Sequence, residues 1–348
     1  MKSIYLYLII GLGLATLTSC SDDDSFGTTP NGEWLIPVGQ VFDGGPGKDG
    51  IPSVDDPLFS SVELSGFLDP SNLVVGIVNN GSAKAYAHRI LDWHEIVNDD
   101  LEGINYALTY CPLTGTAVAW NREINNTITT FGVSGKLYNT NLMPYDRATD
   151  SYWSQMRLDC VTGDLINTRI NTFPVIETTW ETWQEMYPDS EVMTRETGFD
   201  RNYNAYPYGD YRTNNNNIIF PVNNQDGRLP AKDRVLAVLT DSRNKVYPIE
   251  EFGDGRVVME GFGAEELIIF GSDTRNFLVA YKNSGLENVT YLNGSGPIIA
   301  EDSNGNKISI SGEVVEGPLA GTQLAAVESI LGYYFSLAAF YPGIEIME

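Results

Sequence analysis

The chain has 348 residues, with 46 acidic against 21 basic side chains, so its formal net charge at pH 7 is −25. This balance excludes nucleic-acid binding, which depends on Lys and Arg contacts to phosphate, and it disfavours docking on an anionic lipid surface. A mature chain of about 330 residues is long enough for two hydrophobic cores or one large core.

The first 20 residues have the length and apolar character of a cleavable signal peptide. The run is too short and lies too early in the chain to be a functional membrane span. It ends in Leu17-Thr18-Ser19-Cys20, which resembles a bacterial lipobox, the motif in which the cysteine is lipidated and becomes the mature N-terminus. An ordinary signal peptide with a coincidental cysteine is the alternative.

The residues after Cys20 refine the expected location. Ser21-Asp22-Asp23-Asp24 is similar to signals that send lipoproteins of some Gram-negative bacteria to the outer face of the envelope, although a solvated tether has the same composition. We therefore expect a surface-exposed outer-membrane lipoprotein, attached to the membrane through the lipid on Cys20. Residues 21–49 are expected to form a linker and an N-terminal loop.

The following segments favour β-structure. Residues 73–78 and 83–89 contain β-branched and aromatic side chains and flank an Asn-Gly turn, so they predict a hairpin. Shorter runs at 106–111, 116–120 and 127–133 predict further strands.

A helix and a long connection come next. Residues 178–187, TTWETWQEMY, open with threonine, space their apolar side chains helically and stop before Pro188, which predicts a helix. Residues 201–227 are rich in Asn, Tyr, Gly and Asp and predict a long surface connection.

The part of the chain after this connection repeats the part before it at an offset of about 161 positions. At this offset residues 235–239 fall on 74–78, and Lys245-Val246-Tyr247 falls on Lys84-Ala85-Tyr86. Identities are sparse, so chance is the alternative explanation. We expect an α+β, β-rich fold with two structurally related halves from an internal duplication, residues 50–200 and residues 228–348.

The repeat separates scaffold from candidate function. Apolar strand positions and the Lys-x-Tyr pair recur, whereas a polar set in the first half does not. The fold is therefore expected to form without that set, which points to a functional role for it. The positions of His94, Asn98 and Cys111 are occupied in the second half by Gly255, Met259 and Ser272.

Residues 92–100, DWHEIVNDD, contain part of a zinc-protease motif. That motif needs two histidines one helical turn apart, and Asn98 stands in place of the second. An amide oxygen is a poor zinc ligand beside imidazole, and the chain has two histidines in all, His88 and His94. A zinc protease is therefore not expected. A hydrogen-bonded histidine in a helix or turn is the simpler interpretation.

The second polar motif is a cysteine on a tight turn, CPLTGT at residues 111–116. It lacks the second cysteine of a metal knuckle, so a closed structural zinc or iron site is not expected. Cys111 could be a nucleophile whose pKa is lowered by His94. It could instead bind copper or another transition metal with His94, His88 or a methionine such as Met143 or Met156.

Two structural roles for Cys111 compete with these. Once Cys20 carries lipid, the other remaining cysteine is Cys160, and an oxidising compartment permits a disulfide between Cys111 and Cys160. Alternatively, Cys111 is a small buried hydrophobic residue.

Five stretches make the chain similar to a known family, namely AKAYAHRILDWHEIVND, TYCPLTGTAVAWNR, FGVSGKLYNTNLMPYDRATDSYWSQ, MYPDSEVMTRETGF and YPYGDY. They resemble the bacterial and archaeal family catalogued as domain of unknown function 3179. The chain departs from that family at Ala87 and His88, which replace its usual Pro, and at Thr114, where many members have a second cysteine. The resemblance implies no activity. It supplies a set of matching residues: Trp93, His94, Glu95, Asn98, Asp99, Cys111, Pro112, Gly115, Asp146, Arg147, Trp153, Ser154 and Gln155.

Amides, a charge pair and an indole in these stretches could line a polar pocket for a small molecule or sugar. An Asx-rich loop around a buried tryptophan is the alternative. Tyr203, Tyr206, Tyr208 and Tyr211 could likewise stack on a sugar or staple an Ω-like loop. The candidate ligand-binding residues are Asn98, Asn139, Asn141, Asp146, Arg147, Trp153 and Gln155.

Three functions stay open. The first is a thiol- or metal-dependent enzyme, with His94, Cys111 and Glu95 as catalytic residues and His94 and Cys111 as metal ligands. The second is a non-catalytic surface lipoprotein that binds a small molecule, sugar or protein partner. The third is a carrier in which His94 and Cys111 hold copper without turnover.

Overall fold

The computed structural model describes residues 32–240 and 243–348. The expected signal peptide and the lipidation site at Cys20 lie outside these residues. Within them the chain is β-rich, with 41% of residues in strands and 10% in helices, so the predicted β-rich class is confirmed. The α-helices are short: α1 is His88–His94, α2 is Trp180–Met186 and α3 is Tyr334–Phe340.

Sixteen of the described strands precede the connection. They are β1 Val41–Asp43, β2 Phe59–Ser61, β3 Leu73–Asn79, β4 Ser82–Ala87, β5 Ile96–Leu101, β6 Ile104–Cys111, β7 Thr116–Asn121, β8 Glu123–Ile124, β9 Thr127–Ile128, β10 Phe131–Tyr138, β11 Asn141–Asp146, β12 Tyr152–Ser154, β13 Asp159–Thr162, β14 Thr172–Phe173, β15 Ile176–Thr179 and β16 Glu191–Met193.

Eleven described strands follow the connection. They are β17 Arg234–Leu239, β18 Asn244–Pro248, β19 Arg256–Phe262, β20 Glu265–Ser272, β21 Phe277–Lys282, β22 Thr290–Tyr291, β23 Ile298–Glu301, β24 Lys307–Ser309, β25 Val314–Glu316, β26 Ser329–Tyr333 and β27 Glu345–Ile346.

Strands β3 and β4 form the hairpin that the sequence predicts. Asn80 and Gly81 both have positive φ, 49° and 83°, as a two-residue turn of this hand requires. The second strand is shorter than predicted, because it ends at Ala87 and His88 begins α1 directly. His88 and Arg89 therefore belong to a helix and not to the strand.

Helix α2 also confirms a sequence prediction, with tighter bounds. The Oγ1 atom of Thr179 accepts a hydrogen bond from the backbone N–H of Thr182, which satisfies one free donor of the first turn. The helix stops before Pro188, since proline at that position disfavours a helical conformation in the residue before it.

The sheets before and after the connection share a strand order. One contains β15-β3-β4-β16 with β2 added at its edge, and the other contains β26-β17-β18-β27. In both, the first-named strand is antiparallel to its neighbour and the last-named pair is parallel. Antiparallel three-strand arrangements also occur on both sides, as β5-β6-β7 and β19-β20-β21.

Each half uses its Lys-x-Tyr pair in the same way. In the first half, Nζ of Lys84 lies 2.9 Å from a carboxylate oxygen of Asp99, and the hydroxyl of Tyr86 donates to the same carboxylate at 2.6 Å. Strand β4 is thereby tied to strand β5. Because all three side chains are buried, each charged group needs this partner.

The second half repeats this arrangement with glutamate as the acid. Nζ of Lys245 lies 2.8 Å from a carboxylate oxygen of Glu260, and the hydroxyl of Tyr247 donates to the same side chain at 2.6 Å. Glu260 is 161 positions after Asp99, the same separation as between Lys84 and Lys245 (260 − 99 = 245 − 84 = 161).

The hydrophobic core is shared between the halves. One cluster joins strands β3 and β4 to β20 and β21, and another joins Trp120 and Trp153 to Val235 and Tyr334. The backbone N–H of Tyr333 donates to the carbonyl of Thr114 at 2.8 Å, so a second-half strand touches the turn that carries Cys111.

A glycine in β3 provides a test of this packing. A Cβ atom at Gly76 would lie 1.8 Å from a ring carbon of Trp183 in α2, whereas a Cβ at the exposed Gly66 would meet nothing within 4 Å. We expect Gly76→Ala to lower the free energy of unfolding by about 1–3 kcal/mol, because the helix must move away from the sheet. Gly66→Ala is the control, and equal urea-denaturation midpoints for the two variants would contradict the packing.

Candidate functional site

The two polar motifs of the first half meet beside the end of α1. Glu95 follows the helix, and its carbonyl accepts a hydrogen bond at 2.6 Å from the N–H of Tyr110, which precedes Cys111. We call residues 111–116 the Cys-Pro turn. Gly115 in this turn has φ 61°, a conformation that favours glycine, and its Cα lies against the ring of Tyr333.

Part of the predicted surface connection covers both motifs, and we call residues 203–212 the covering segment. The hydroxyl of Tyr211 donates to the carbonyl of Leu113 at 2.8 Å, and that of Tyr206 donates to Pro112 at 3.3 Å. Trp93 in α1 donates from its indole nitrogen to the carbonyl of residue 205 at 3.0 Å. The hydrogen bonds of Tyr206 and Tyr211 therefore hold the covering segment against the Cys-Pro turn. This agrees with a structural role for these tyrosines in an Ω-like loop, which was the alternative to sugar stacking.

His94 is fully buried, with both ring nitrogens in hydrogen bonds. Nδ1 lies 2.7 Å from the carbonyl of Pro52, and Nε2 lies 2.6 Å from the hydroxyl of Tyr203. A carbonyl can only accept, so we assign the ring proton to Nδ1, and Nε2 accepts from Tyr203. Burial lowers the pKa of His94, which keeps the ring neutral at pH 7. A metal or a proton could reach Nε2 only if the bond to Tyr203 broke.

Cys111 is a buried, protonated thiol. Its Sγ lies 3.7 Å from the carbonyl of Thr140, to which it donates a weak hydrogen bond. Burial raises the pKa of Cys111 to about 11, with a further contribution from nearby Glu95. Cys111 and Cys160 are both free, so the disulfide alternative is excluded. A thiol in this state is a poor nucleophile at pH 7.

Glu95 has the most unusual environment of the predicted catalytic residues. It adopts a left-handed conformation, φ 58°, which is costly for glutamate and is often found at functional sites. Burial raises the pKa of its carboxyl to about 8, opposed by a hydrogen bond from Tyr208 and aided by nearby Asp92. Glu95 is therefore protonated at pH 7, and its carboxyl opposes ionisation of Cys111 only above its own pKa, where it carries a negative charge.

His94 and Cys111 share no hydrogen bond or ion pair among the described residues. Within residues 32–240 and 243–348, no group of three or more His, Cys, Asp and Glu side chains is arranged to hold a metal ion. Met143 and Met156 are buried in separate hydrophobic clusters. The predicted catalytic and metal-binding roles of His94 and Cys111 remain predictions.

The side chain of Asn98 links its own strand to the backbone of Phe131 and to the carboxylate of Asp55. Its amide nitrogen donates to the carbonyl of Phe131 at 2.8 Å and to Asp55 at 2.7 Å, and its amide oxygen accepts from the N–H of Phe131 at 2.9 Å. This use of the side chain explains why asparagine, rather than a second histidine, follows the His-Glu pair here.

Asn141 and Gln155 belong to one buried network. The amide nitrogen of Asn141 and the hydroxyl of Thr116 both donate to Oε1 of Gln155 at 2.7 Å. The amide nitrogen of Gln155 donates to Thr109 at 3.0 Å. These groups position the strands behind the Cys-Pro turn, and their polar atoms already have partners.

The other predicted ligand-binding residues do not form a single group with these two. Trp153 donates from its indole to Asp146 at 3.0 Å inside the core, and Asn139 accepts from the N–H of Asn223 at 2.8 Å. Arg147 is partly exposed and pairs with Asp55 at 3.1 Å. The seven predicted residues therefore do not line one common pocket, and their ligand-binding role remains a prediction.

An open cleft of about 370 Å³ lies along α1, and of its lining residues sequence reasoning singled out His88, Tyr203 and Tyr206 but not Arg89, Asp92 or Arg212. The α1 cleft, as we call it, is lined by His88, Arg89 and Asp92 from the helix and by Tyr206 and Arg212 from the covering segment. Two sequence positions could have pointed to the ion pair of this cleft. Asp92 directly precedes Trp93 in DWHE, and Arg212 directly follows YPYGDY.

Asp92 and Arg212 form the main ion pair of this cleft. Nη2 of Arg212 lies 2.5 and 2.6 Å from the two carboxylate oxygens of Asp92, and its guanidinium stacks 3.9 Å from the ring centre of Tyr206. Burial raises the pKa of Asp92 to about 6 despite the neighbouring Arg212. About a third of the Arg212 side chain stays exposed, so it can meet a ligand.

His88 lies between this cleft and a buried ion pair. Its Nε2 lies 2.9 Å from Oε2 of Glu177, and Nη2 of Arg234 reaches the same oxygen at 2.9 Å. Burial lowers the pKa of His88, against the opposing effect of Glu177. The first-half helix is thereby connected to strand β17 of the second half.

The chain matches one protein-family model, described as a protein of unknown function, DUF3179, over residues 48–344. No curated protein and no solved structure matches the chain.

The raised pKa of Glu95 gives a testable pH dependence. Between the usual carboxyl pKa of 4.5 and about 8, the unfolded chain releases the proton while the folded chain retains it. The free energy of unfolding should therefore fall as pH rises through this range, by an amount on the order of a few kcal/mol. Glu95→Gln should abolish this part of the decline, as measured by urea denaturation from pH 4 to 9.

Glu181→Gln, on the exposed face of α2, is the matched control and should keep the wild-type profile. If Glu95→Gln also follows the wild-type profile, Glu95 does not carry the raised pKa.

Proposed function

The chain belongs to the DUF3179 family of proteins of unknown function, and from that premise we propose that it is a cell-envelope lipoprotein that binds a small polar ligand. The ligand carries a carboxylate and occupies the α1 cleft. The observation that carries this proposal is the convergence of Arg89, Asp92 and Arg212 in one open cleft.

The charges of the cleft support an acidic ligand. Arg212 supplies a guanidinium group, which suits carboxylates because its N–H donors are held in a planar fork. Arg89 supplies a second guanidinium, one N–H of which already donates to the carbonyl of Phe67 at 2.7 Å. Asp92 compensates part of this charge and fixes the position of Arg212. The ring of Tyr206 provides an apolar surface below the guanidinium.

Binding is favoured over thiol or metal chemistry by the state of the two residues such chemistry would use. The thiol of Cys111 stays protonated at pH 7, and both ring nitrogens of His94 have partners. A ligand in the α1 cleft needs none of these bonds to break.

A reaction at Cys111 is the second candidate function, and Glu95 is the observation that favours it. A strained carboxyl with a pKa of about 8 beside a thiol is typical of positions that exchange protons. Such a reaction would require the covering segment to move, because Tyr206 and Tyr211 bond to the Cys-Pro turn.

We also infer that the two halves arose by internal duplication. The shared strand order and the repeated Lys-carboxylate-Tyr arrangement support this origin. The offset of the first strand pair agrees with the sequence repeat, since β3 and β17 start 161 residues apart (234 − 73). The offset is smaller for the later pair, since β15 and β26 start 153 residues apart (329 − 176). In the second half a short 3-10 helix, Ile249–Phe252, begins 161 residues after α1 (249 − 88), at the corresponding position.

Attachment to the envelope rests on the sequence motif at Cys20. None of the helices within residues 32–240 and 243–348 has the length and apolar character of a membrane span. Lipid on Cys20 would supply the anchor, and the acidic residues 22–24 would act as a solvated spacer.

The cleft is tested with glucuronate, an acidic sugar, against glucose. We expect isothermal titration of the full-length protein in detergent to detect glucuronate and not glucose. Arg212→Gln should weaken glucuronate binding about 10- to 100-fold, since a hydrogen bond to a charged group contributes about 1.5–3 kcal/mol.

Arg201→Gln, in the connection but outside the cleft, is the control. Arg212→Gln removes the ion-pair partner of the buried Asp92, and a loss of folding would obscure its result. Arg89→Gln tests the same cleft and keeps that ion pair. Equal affinities for glucose and glucuronate, or wild-type affinity in both cleft variants, would refute the proposed ligand class.

The lipid anchor is tested by Cys20→Ser in a Gram-negative host. Because the thiol is the proposed site of acylation, we expect the wild-type protein in the outer-membrane fraction and the variant outside it. Fractionation, with mass spectrometry of the mature N-terminus, measures this. Ser21→Ala should behave as wild type, and membrane retention of Cys20→Ser without lipid would contradict the proposed anchor.

A further inference from the structure

A second cavity, distinct from the α1 cleft, lies between the two halves. Its volume is about 490 Å³, and we call it the interface cavity. The first half supplies one side of its lining and the second half supplies the other. Its apolar walls include Val118 and Leu158 from the first half and Leu236, Val279 and Ile330 from the second.

Glu177 brings a carboxylate to this lining. It lies on β15, is 2% exposed and is among the residues that line the interface cavity. Its Oε2 atom has two neighbours, His88 and Arg234, each at 2.9 Å. Its Oε1 atom is buried without a hydrogen-bond partner among the described residues.

An unpartnered buried oxygen of this kind calls for an explanation. Leaving a buried acceptor unsatisfied costs about 1–3 kcal/mol, and more when the group is charged, so such atoms usually meet a ligand or an ordered water. Arg234 and His88 both contact Oε2, so Oε1 is the carboxylate oxygen that lacks a partner among the described residues.

An unpartnered carboxylate oxygen favours a cationic donor. Two acidic side chains and one basic side chain line the cavity, namely Glu177, Glu328 and Arg169, and Arg169 pairs with Glu328. Arg234 and a neutral His88 contact Glu177 at Oε2 and leave Oε1 without a donor. The net charge of −25 also raises the local concentration of cations around the protein.

We propose that the interface cavity is a second ligand site, which takes a small molecule with an apolar body and a protonated amine. The amine donates a hydrogen bond to Oε1 of Glu177, and the apolar body packs against the β-strands of both halves. The ligand class is opposite in charge to that of the α1 cleft, so the two sites can be tested separately.

Three probes of similar size and different charge test the site: 2-phenylethylamine, 2-phenylethanol and phenylacetate. We expect saturable binding of the amine to the full-length protein in detergent, at least tenfold weaker binding of the alcohol, and no binding of the acid. Ligand-observed NMR titration measures all three under the same conditions.

Two variants locate the binding. Glu177→Gln keeps the side-chain size and should weaken amine binding at least tenfold. Ala326→Trp places a large ring at an exposed position that lines the cavity and should also weaken it at least tenfold, without altering the ion pairs of Glu177. Ala325→Trp, at the exposed neighbouring position outside the lining, is the matched control and should bind as wild type.

Thermal denaturation checks that each variant is folded, and Ala326→Trp decides the outcome if Glu177→Gln is not. Absence of saturable amine binding would mean that the cavity holds water only, and it would overturn the proposal. Equal binding of amine and acid would overturn the role of Glu177. Wild-type amine affinity in Ala326→Trp would place the binding elsewhere. Each result is independent of glucuronate binding in the α1 cleft.

Discussion

The cost of burying polar and charged groups governs the first half of this protein. Nearly every polar residue of its motifs lies out of contact with solvent, and such a group must find a partner or give up its charge. Asn98, Asn141 and Gln155 find partners in the backbone and in each other. Glu95 and Cys111 remain protonated instead. The same physical cost thus produces both the rigid frame and the shifted pKa values.

This constraint separates the closed part of the site from the open part. The covering segment and the Cys-Pro turn shield Cys111, while the neighbouring α1 cleft stays accessible through Arg212. His88 connects the cleft to Glu177, and Glu177 lines the interface cavity. The two proposed ligand sites are therefore adjacent, with one pair of contacting side chains between them. The ligands proposed for the two sites differ in charge because Arg212 lines the α1 cleft and Glu177 lines the interface cavity.

Local patterns predicted local elements well. The Asn-Gly turn at residues 80–81 requires positive φ, and α2 has a threonine cap and a proline after its last turn, so both elements follow from short-range chemistry. The boundary at His88 was wrong, because β4 passes into α1 with no turn residue to mark the change. Of the site, the sequence grouped His94, Glu95 and Cys111 but did not point to Asp92 or Arg212, which meet across 120 positions.

The sequence by itself determined the β-rich class and the family. It also singled out the recurring Lys-x-Tyr pairs as scaffold, but not the carboxylates of Asp99 and Glu260 that they contact. Tertiary structure alone decided which of the remaining polar residues are accessible. Whether His94 is a free ligand or a bonded ring depends on Tyr203, and whether Glu177 is an ordinary ion-pair partner or an open acceptor depends on strands from the other half. Contacts between distant segments decide which side chains are buried and which are paired, and these contacts cannot be derived from the spacing of residues along the chain.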